Sequence, residues 1–376
     1  MYSQPKRIEF LDSIRGLAAL FVLLSHTIAA FDWPASIVAG AHRPFISILS
    51  DGFGAVAMFF VLSGYVLSKP YVETGSDSRR IFLPTFYLRR FIRIWPPWFF
   101  AFAASIVAKN FLFFQPATLP AITRWLAGFW HARLTAPDFL RQCAFVLHDS
   151  TRQLLNQDWS LGVELKGSAL IPLFLICVRR KHVALIFPLA VLFLIFFNAG
   201  EYYVSFIIGV LVAQYDSCLI ARFVRLGRVA RAAFFIGGLV LYQGLGLSLA
   251  AFHSLPSAYK YGWVMTAFGC AAILISVFSS QTLQRTLNCK PVVFLGRISY
   301  SVYLLQFIII LCLLPPLVSL FNQCGLASPF VLFPLTLLAS LAATIGAAAL
   351  MYRFIELPVI NFSHWLTRKI QLHFHK

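Results

Sequence analysis

RIEFLDSIRGLAALFVLLSHTIAAF, residues 7–31, places Asp12, Arg15 and His26 on what otherwise reads as a membrane-spanning helix. An ionisable group at mid-span costs on the order of 2.5–3.5 kcal/mol on insertion scales, so it persists where it faces protein or water and not lipid. Arg15 and His26 are eleven residues apart. At about 100° and 1.5 Å per residue they fall within roughly 20° of each other and about 16 Å apart along the axis. One stripe of the helix therefore carries a cation near one membrane surface and an imidazole toward the other. Between them lie Ala19 and Val22, small enough for a slender chain to lie alongside. Of nine histidines, His26 alone sits inside an uninterrupted apolar run. Its bland reading is a polar residue hydrogen-bonded within a helix bundle; its company argues for more.

With 60% apolar, 16% aromatic and 12% charged residues among 376, the composition excludes a soluble domain and fits an all-α, polytopic integral membrane protein. Lys6 and Arg7 before an apolar run imitate a signal peptide, but Asp12 and Arg15 spoil that run, so a retained first span is expected. Apolar runs predict ten spans, near 13–31, 53–68, 94–114, 160–178, 183–199, 202–215, 232–251, 260–278, 299–319 and 329–352. The short 202–215 run is tilted, re-entrant or longer than it looks. With both termini in the cytoplasm, 23 of the 31 Lys and Arg fall on the inner side and only seven outside, as the positive-inside rule demands. That rule also accounts for the net charge of +18, so no nucleic-acid partner is expected. The seven cysteines form no paired metal spacing, and no metal is expected.

Two connections carry chemistry-bearing residues. The inner loop 69–93 ends in FYLRRFIRIWPPWF, where Arg90 and Arg93, three apart on the first turn of a span, share a face. They read either as topology anchors or as ligands for an anion. The outer segment 115–159 holds Trp125, Trp130, His131, Arg133, Asp138, His148, Asp149 and Asp158, a mixture suited to a lid, a polar-substrate surface or an interfacial stretch. In the next span Glu164 lies about four residues below the outer surface and His26 about five, so both sit some 6–8 Å deep. A carboxylate level with an imidazole is the strongest physical pointer to a site. Lys166 is two residues on, off that face.

The segments FLDSIRGLAALFVLLSHT (10–27), FFVLSGYVLSK (59–69), RRFIR (89–93), DWSLGVE (158–164), FLGRISYSVYLL (294–305) and RFIELP (353–358) together resemble, in order and along essentially the whole chain, the acyltransferase-3 family of integral-membrane acyltransferases. The resemblance implies a single membrane domain, residues 1–376, that transfers an acyl group, usually acetyl, from cytoplasmic acyl-CoA to a hydroxyl of an envelope glycan, lipid-linked sugar or exported saccharide. It implies a bacterial inner-membrane location, with the lipid bilayer, acyl-CoA and the acceptor as partners. The family's essential first-span Arg and His fall on Arg15 and His26, and its cytoplasmic Arg pair on Arg90 and Arg93.

His26 and Glu164 are then the expected catalytic residues, and Arg15, Arg90 and Arg93 the ligands of acyl-CoA. Asp12, Asp158 and Trp159 have orienting roles, Asp12 by pairing with Arg15. His26 acts as general base or as covalent acyl carrier. The chain departs from the family in LKGS after WSLGVE, and in Gln306 where a His is common after SYSVYLL; neither change is expected to touch His26. The esterase-like domain that many relatives carry after the last span is not expected here. The competing class is a secondary transporter of a polar or anionic solute, against which stands the lack of paired, Gly- or Pro-broken spans in matching halves.

Overall fold

The computed structural model describes residues 8–34, 36–37, 46–72, 82–113, 122–130, 135–144, 154–179, 185–196, 200–251, 255, 257–326 and 328–374. Lys6, Arg7, Arg79, Arg80, His131, Arg133, His148 and Asp149 lie outside them. The long helices are α1 (Glu9–Ala29), α2 (Gly52–Val72), α3 (Leu83–Phe111), α4 (Asp158–Arg179), α5 (Gly200–Val224), α6 (Arg228–Tyr242), α7 (Gly244–Ala251), α8 (Ala258–Phe278), α9 (Lys290–Gln323), α10 (Pro329–Met351) and α11 (Leu357–Phe374).

Among the described residues, eight helices are long and apolar enough to cross a membrane, and α6 with α7, bent by 62° at Gln243, makes a ninth. Helices dominate because a lipid core offers backbone N–H and C=O groups no partner but one another. The tenth expected span, 183–199, lies partly outside the described residues, and its described part is an 11-residue helix, Ile186–Phe196. The run near 202–215 proves to be the 25-residue α5. Its polar end, Tyr-Asp-Ser, hides its length from hydropathy. At 1.5 Å per residue the 34-residue α9 rises about 51 Å, well beyond a hydrocarbon core about 30 Å thick.

The chain forms two compact units, Met1–Ala18 with Phe53–Leu83 and Val163–Gly296, and Ala19–Gly52 with Pro84–Gly162 and Arg297–Lys376. In the first, glycines let helices approach closely. A Cβ on Gly16 would stand 2.5 Å from the backbone nitrogen of Gly296, and one on Gly296 would stand 2.5 Å from the Asp12 carbonyl oxygen. Gly64 and Gly209 repeat the pattern where α2 meets α5. Such contacts replace the hydrophobic drive that lipid cannot supply between helices. Gly296→Val is therefore expected to cost about 1–3 kcal/mol, as overpacking does, and to lower the thermal midpoint of detergent-solubilised protein. An unchanged midpoint would show that the helices part without penalty.

The same unit holds a part-buried pair that hydropathy did not mark: Lys69 on α2 meets Asp216 on α5, which also accepts from Tyr65 Oη at 3.0 Å. Each charge thereby loses its desolvation cost to a partner.

In the second unit, the RFIELP segment forms a π turn, Tyr352–Glu356, just ahead of Pro358. Proline has no N–H to continue the i→i−4 ladder, and a widened turn absorbs the mismatch. The turn leaves Glu356 buried, where Ser301 Oγ donates to it at 2.8 Å. Tyr300 Oη donates to the Ile94 carbonyl at 2.7 Å. The SYS, RFIRI and FIEL motifs thus hold one another in register.

Candidate active site

The end of α1 is where the second unit gathers polar groups. The last turn of α1 leaves carbonyls without intrahelical partners. Thr123 takes up two of them, its hydroxyl donating to Ala29 O at 2.9 Å and its N–H to Ala30 O at 3.1 Å. This tie brings the short helix Arg124–Ala127 beside the last turn of α1. Trp125, on that helix, lies with its ring centroid 5.7 Å from that of His26. Phe307 of α9 approaches the imidazole edge-on at 5.8 Å, and Phe129 closes on Phe307 at 4.5 Å. Trp130 follows with φ 65°, a left-handed backbone that a bulky residue rarely adopts, and it stays there because its buried indole donates to Leu154 O at 2.9 Å.

The polar side of the ring faces α4 and α9. Asn156 Nδ2 stands 3.5 Å from His26 Nε2, at the outer limit of a hydrogen bond. The next residue, Gln157, is buried and donates from Nε2 to the carbonyls of Tyr303 (3.2 Å) and Leu304 (2.7 Å). Gln306 Nε2 also donates to Tyr303 O, at 3.3 Å, and the Gln306 side chain lies against His26. The sequence expectation that the Gln306 departure leaves His26 untouched is thus overturned. One turn of α9 carries Tyr303, Gln306 and Phe307, and so brings the departure onto the ring. His26 Nδ1, Gln306 Oε1, Gln157 Oε1 and Asp158 Oδ2 are all buried without a hydrogen-bond partner among the described residues.

Asp158 opens α4 and accepts from the buried Trp98 Nε1 at 2.8 Å; Trp98 in turn stacks on Phe102 at 5.1 Å. Trp159 is partly buried beside it. Ser160 and Tyr303 share a hydroxyl–hydroxyl bond of 2.5 Å, so the first turn of α4 is pinned to α9 at several points. Asp138, by contrast, serves structure. It closes a capping box with Thr135, whose hydroxyl and backbone N–H donate to its carboxylate and hold it below the usual range.

The remaining expected residues have other surroundings. Asp12 pairs with Arg15 at 3.8 Å on α1. Glu164 accepts from Ser63 Oγ at 3.2 Å within the first unit. Arg90 is buried, 8% exposed, whereas Arg93 is exposed. Their neighbour Arg89 donates to Thr367 Oγ1 at 3.0 Å. Ala19 and Val22 are 0% and 2% exposed, so the stripe between Arg15 and His26 is filled by protein and is not the open track that their small size suggested. Sequence reasoning missed Asn156 and Trp125 as neighbours of His26. The available signal was their position in the segments just before the WSLGVE motif and after Thr123. No group of three or more His, Cys, Asp or Glu side chains among the described residues could hold a metal ion.

Arranged in this way, an imidazole flanked by two aromatic rings and faced by amides can move a proton or accept an acyl group, and no charged side chain among its described contacts competes for it. Comparison with known proteins agrees with such chemistry. A family described as an acyltransferase domain is matched over residues 8–353. O-acetyltransferase OatA of Staphylococcus aureus (strain NCTC 8325 / PS 47) is 23% identical over 391 residues, spanning 96% of this chain and 58% of that protein. Peptidoglycan O-acetyltransferase OatA of Listeria monocytogenes serovar 1/2a is 24% identical over 385 residues, spanning 94% and 56%. Protein 2 in picA locus of Rhizobium radiobacter is 33% identical over 119 residues, 31% of this chain. The chain thus spans a little over half the length of the first two relatives. No solved structure matches it significantly.

Proposed function

Because the chain belongs to the acyltransferase-3 family of integral-membrane proteins, we propose that it is an O-acetyltransferase. It would move acetyl from cytoplasmic acetyl-CoA to a hydroxyl of an envelope glycan or lipid-linked sugar at the bacterial inner membrane. Peptidoglycan, named for the Listeria relative, is the acceptor to try first. The observation that carries the reading is the setting of His26. Its imidazole sits in the last turn of α1, between the rings of Trp125 and Phe307, with its Nε2 3.5 Å from the neutral amide of Asn156.

Both chemical routes begin from an unprotonated Nε2. As general base, Nε2 takes the proton of the acceptor hydroxyl while its oxygen bonds the thioester carbon. The C–S bond then breaks, and the thiolate of CoA recovers the proton from the ring. As nucleophile, Nε2 itself bonds the acyl carbon and expels the thiolate, and the acceptor hydroxyl then displaces the imidazole, its proton passing to the thiolate. Glu164 is assigned the stabilisation of positive charge on the ring as it forms, the part a third group plays in a triad.

Arg90 and Arg93, with Arg15, are assigned the phosphates of CoA, since guanidinium forks match phosphate oxygens two at a time. This assignment sets the N-terminal end of α1 on the cytoplasmic side. The direct test is to incubate the purified protein with acetyl-labelled acetyl-CoA and follow label and free thiol. Release of CoA with label appearing on a glycan hydroxyl supports the proposal. An intact thioester together with solute uptake into vesicles would replace it with a transporter.

A further inference from the structure

We propose that the side-chain oxygen of Gln306 fixes the tautomer of His26, accepting the Nδ1–H so that Nε2 is left with its lone pair for the reaction. The role rests on His26 being the reactive imidazole, but the tautomer itself does not.

Two orphaned atoms carry the inference. His26 Nδ1 and Gln306 Oε1 are both buried, and neither has a hydrogen-bond partner among the described residues, although the Gln306 side chain lies against the ring. An unsatisfied buried polar atom costs about 1–3 kcal/mol, so a ring nitrogen and an amide oxygen left over on contacting side chains satisfy each other when the proton is on Nδ1. The amide is not free to turn. Gln306 Nε2 is held by Tyr303 O at 3.3 Å, and flipping it would set oxygen against oxygen. Gln157 anchors on the same carbonyl at 3.2 Å and fixes that peptide from the other side.

The opposite edge of the ring gives the same answer. The atom of Asn156 that approaches His26 Nε2 is Nδ2, a donor only, at 3.5 Å. A donor there is matched by an unprotonated Nε2. Trp125 at 5.7 Å and Phe307 at 5.8 Å flank the ring. At 3.5 Å the Asn156 bond is loose enough for a substrate hydroxyl or thioester carbon to take its place at Nε2. Through the reaction Nδ1–H stays on Gln306, so Gln306 is a positioning residue that orients the ring with a dipole.

The experiment labels the imidazole nitrogens with 15N in membrane-embedded protein and identifies His26 by the signal lost in His26→Ala. Expected is a neutral ring protonated on Nδ1 in the wild type, losing that preference in Gln306→Met, which has the same reach and no acceptor oxygen. In parallel, Gln306→Met is expected to lower kcat about 10–100-fold, a fraction of what acid–base catalysis contributes, with the KM for acetyl-CoA unchanged. A wild-type ring protonated on Nε2, or on both nitrogens at neutral pH, overturns the proposal even should Gln306→Met fail to accumulate, and so does an unchanged tautomer in Gln306→Met. If acetyl-CoA is not turned over at all, the acyltransferase reading fails while the nitrogen spectrum still decides the tautomer.

Discussion

His26→Ala is expected to reduce acetyl transfer by a factor on the order of 10²–10⁴, the contribution of a positioned acid–base group, with folded protein retained in the membrane. Retention follows from what the ring does structurally. Its described contacts are the rings of Trp125 and Phe307, one 3.5 Å hydrogen bond to Asn156 and the Gln306 side chain, while Thr27 beside it is the buried anchor, its hydroxyl donating to Leu23 O at 2.9 Å with Ser340 Oγ 3.1 Å away. The measurement is label transfer per mole of monodisperse protein, and a well-expressed mutant that transfers normally would sink the assignment. Glu164→Gln separates the second catalytic candidate from a packing residue. The amide still accepts from Ser63, so the fold is kept, and a fall in kcat larger than any change in KM is expected if the charge matters. Loss of expression alone would make Glu164 structural.

The second large effect concerns the arginines, and burial divides what the sequence treated as a pair. Arg93 is exposed, so Arg93→Ala is expected to raise the KM for acetyl-CoA roughly 10–150-fold, the equivalent of about 1.5–3 kcal/mol for a charge-assisted hydrogen bond, with the amount of folded protein unchanged. Arg90 is buried, and its removal leaves its surroundings short of a charge, so Arg90→Ala is expected to lower folded yield as well. Lysine at both positions keeps the positive charge and loses the fork geometry. Topology by the positive-inside rule is indifferent to that exchange, because Lys and Arg count alike. Titration of acetyl-CoA onto the Arg90→Lys, Arg93→Lys protein therefore discriminates: wild-type affinity would make both residues anchors and move the donor site elsewhere.

Sequence alone determined the class of molecule, because a lipid solvent leaves few solutions. Long apolar runs must close their backbone hydrogen bonds within themselves, and so the helices were legible from composition and period. Ordered motifs gave the family, and three-residue spacing on one helix gave the Asp12–Arg15 pair, since such contacts are local. Tertiary structure decided what depends on residues distant in the chain. Hydropathy counted Asp216 and Glu356 out of the membrane helices, whereas packing buries them on Lys69, Tyr65 and Ser301. Small side chains at Ala19 and Val22 read as room for a ligand, but smallness in a helix bundle is also what lets other helices come close, and here it does. Gln306 read as a change remote from the chemistry because it is 280 positions from His26. The register of α9, pinned through Tyr303 to the first turn of α4, is what lays it on the imidazole, and no periodicity within either segment encodes that meeting.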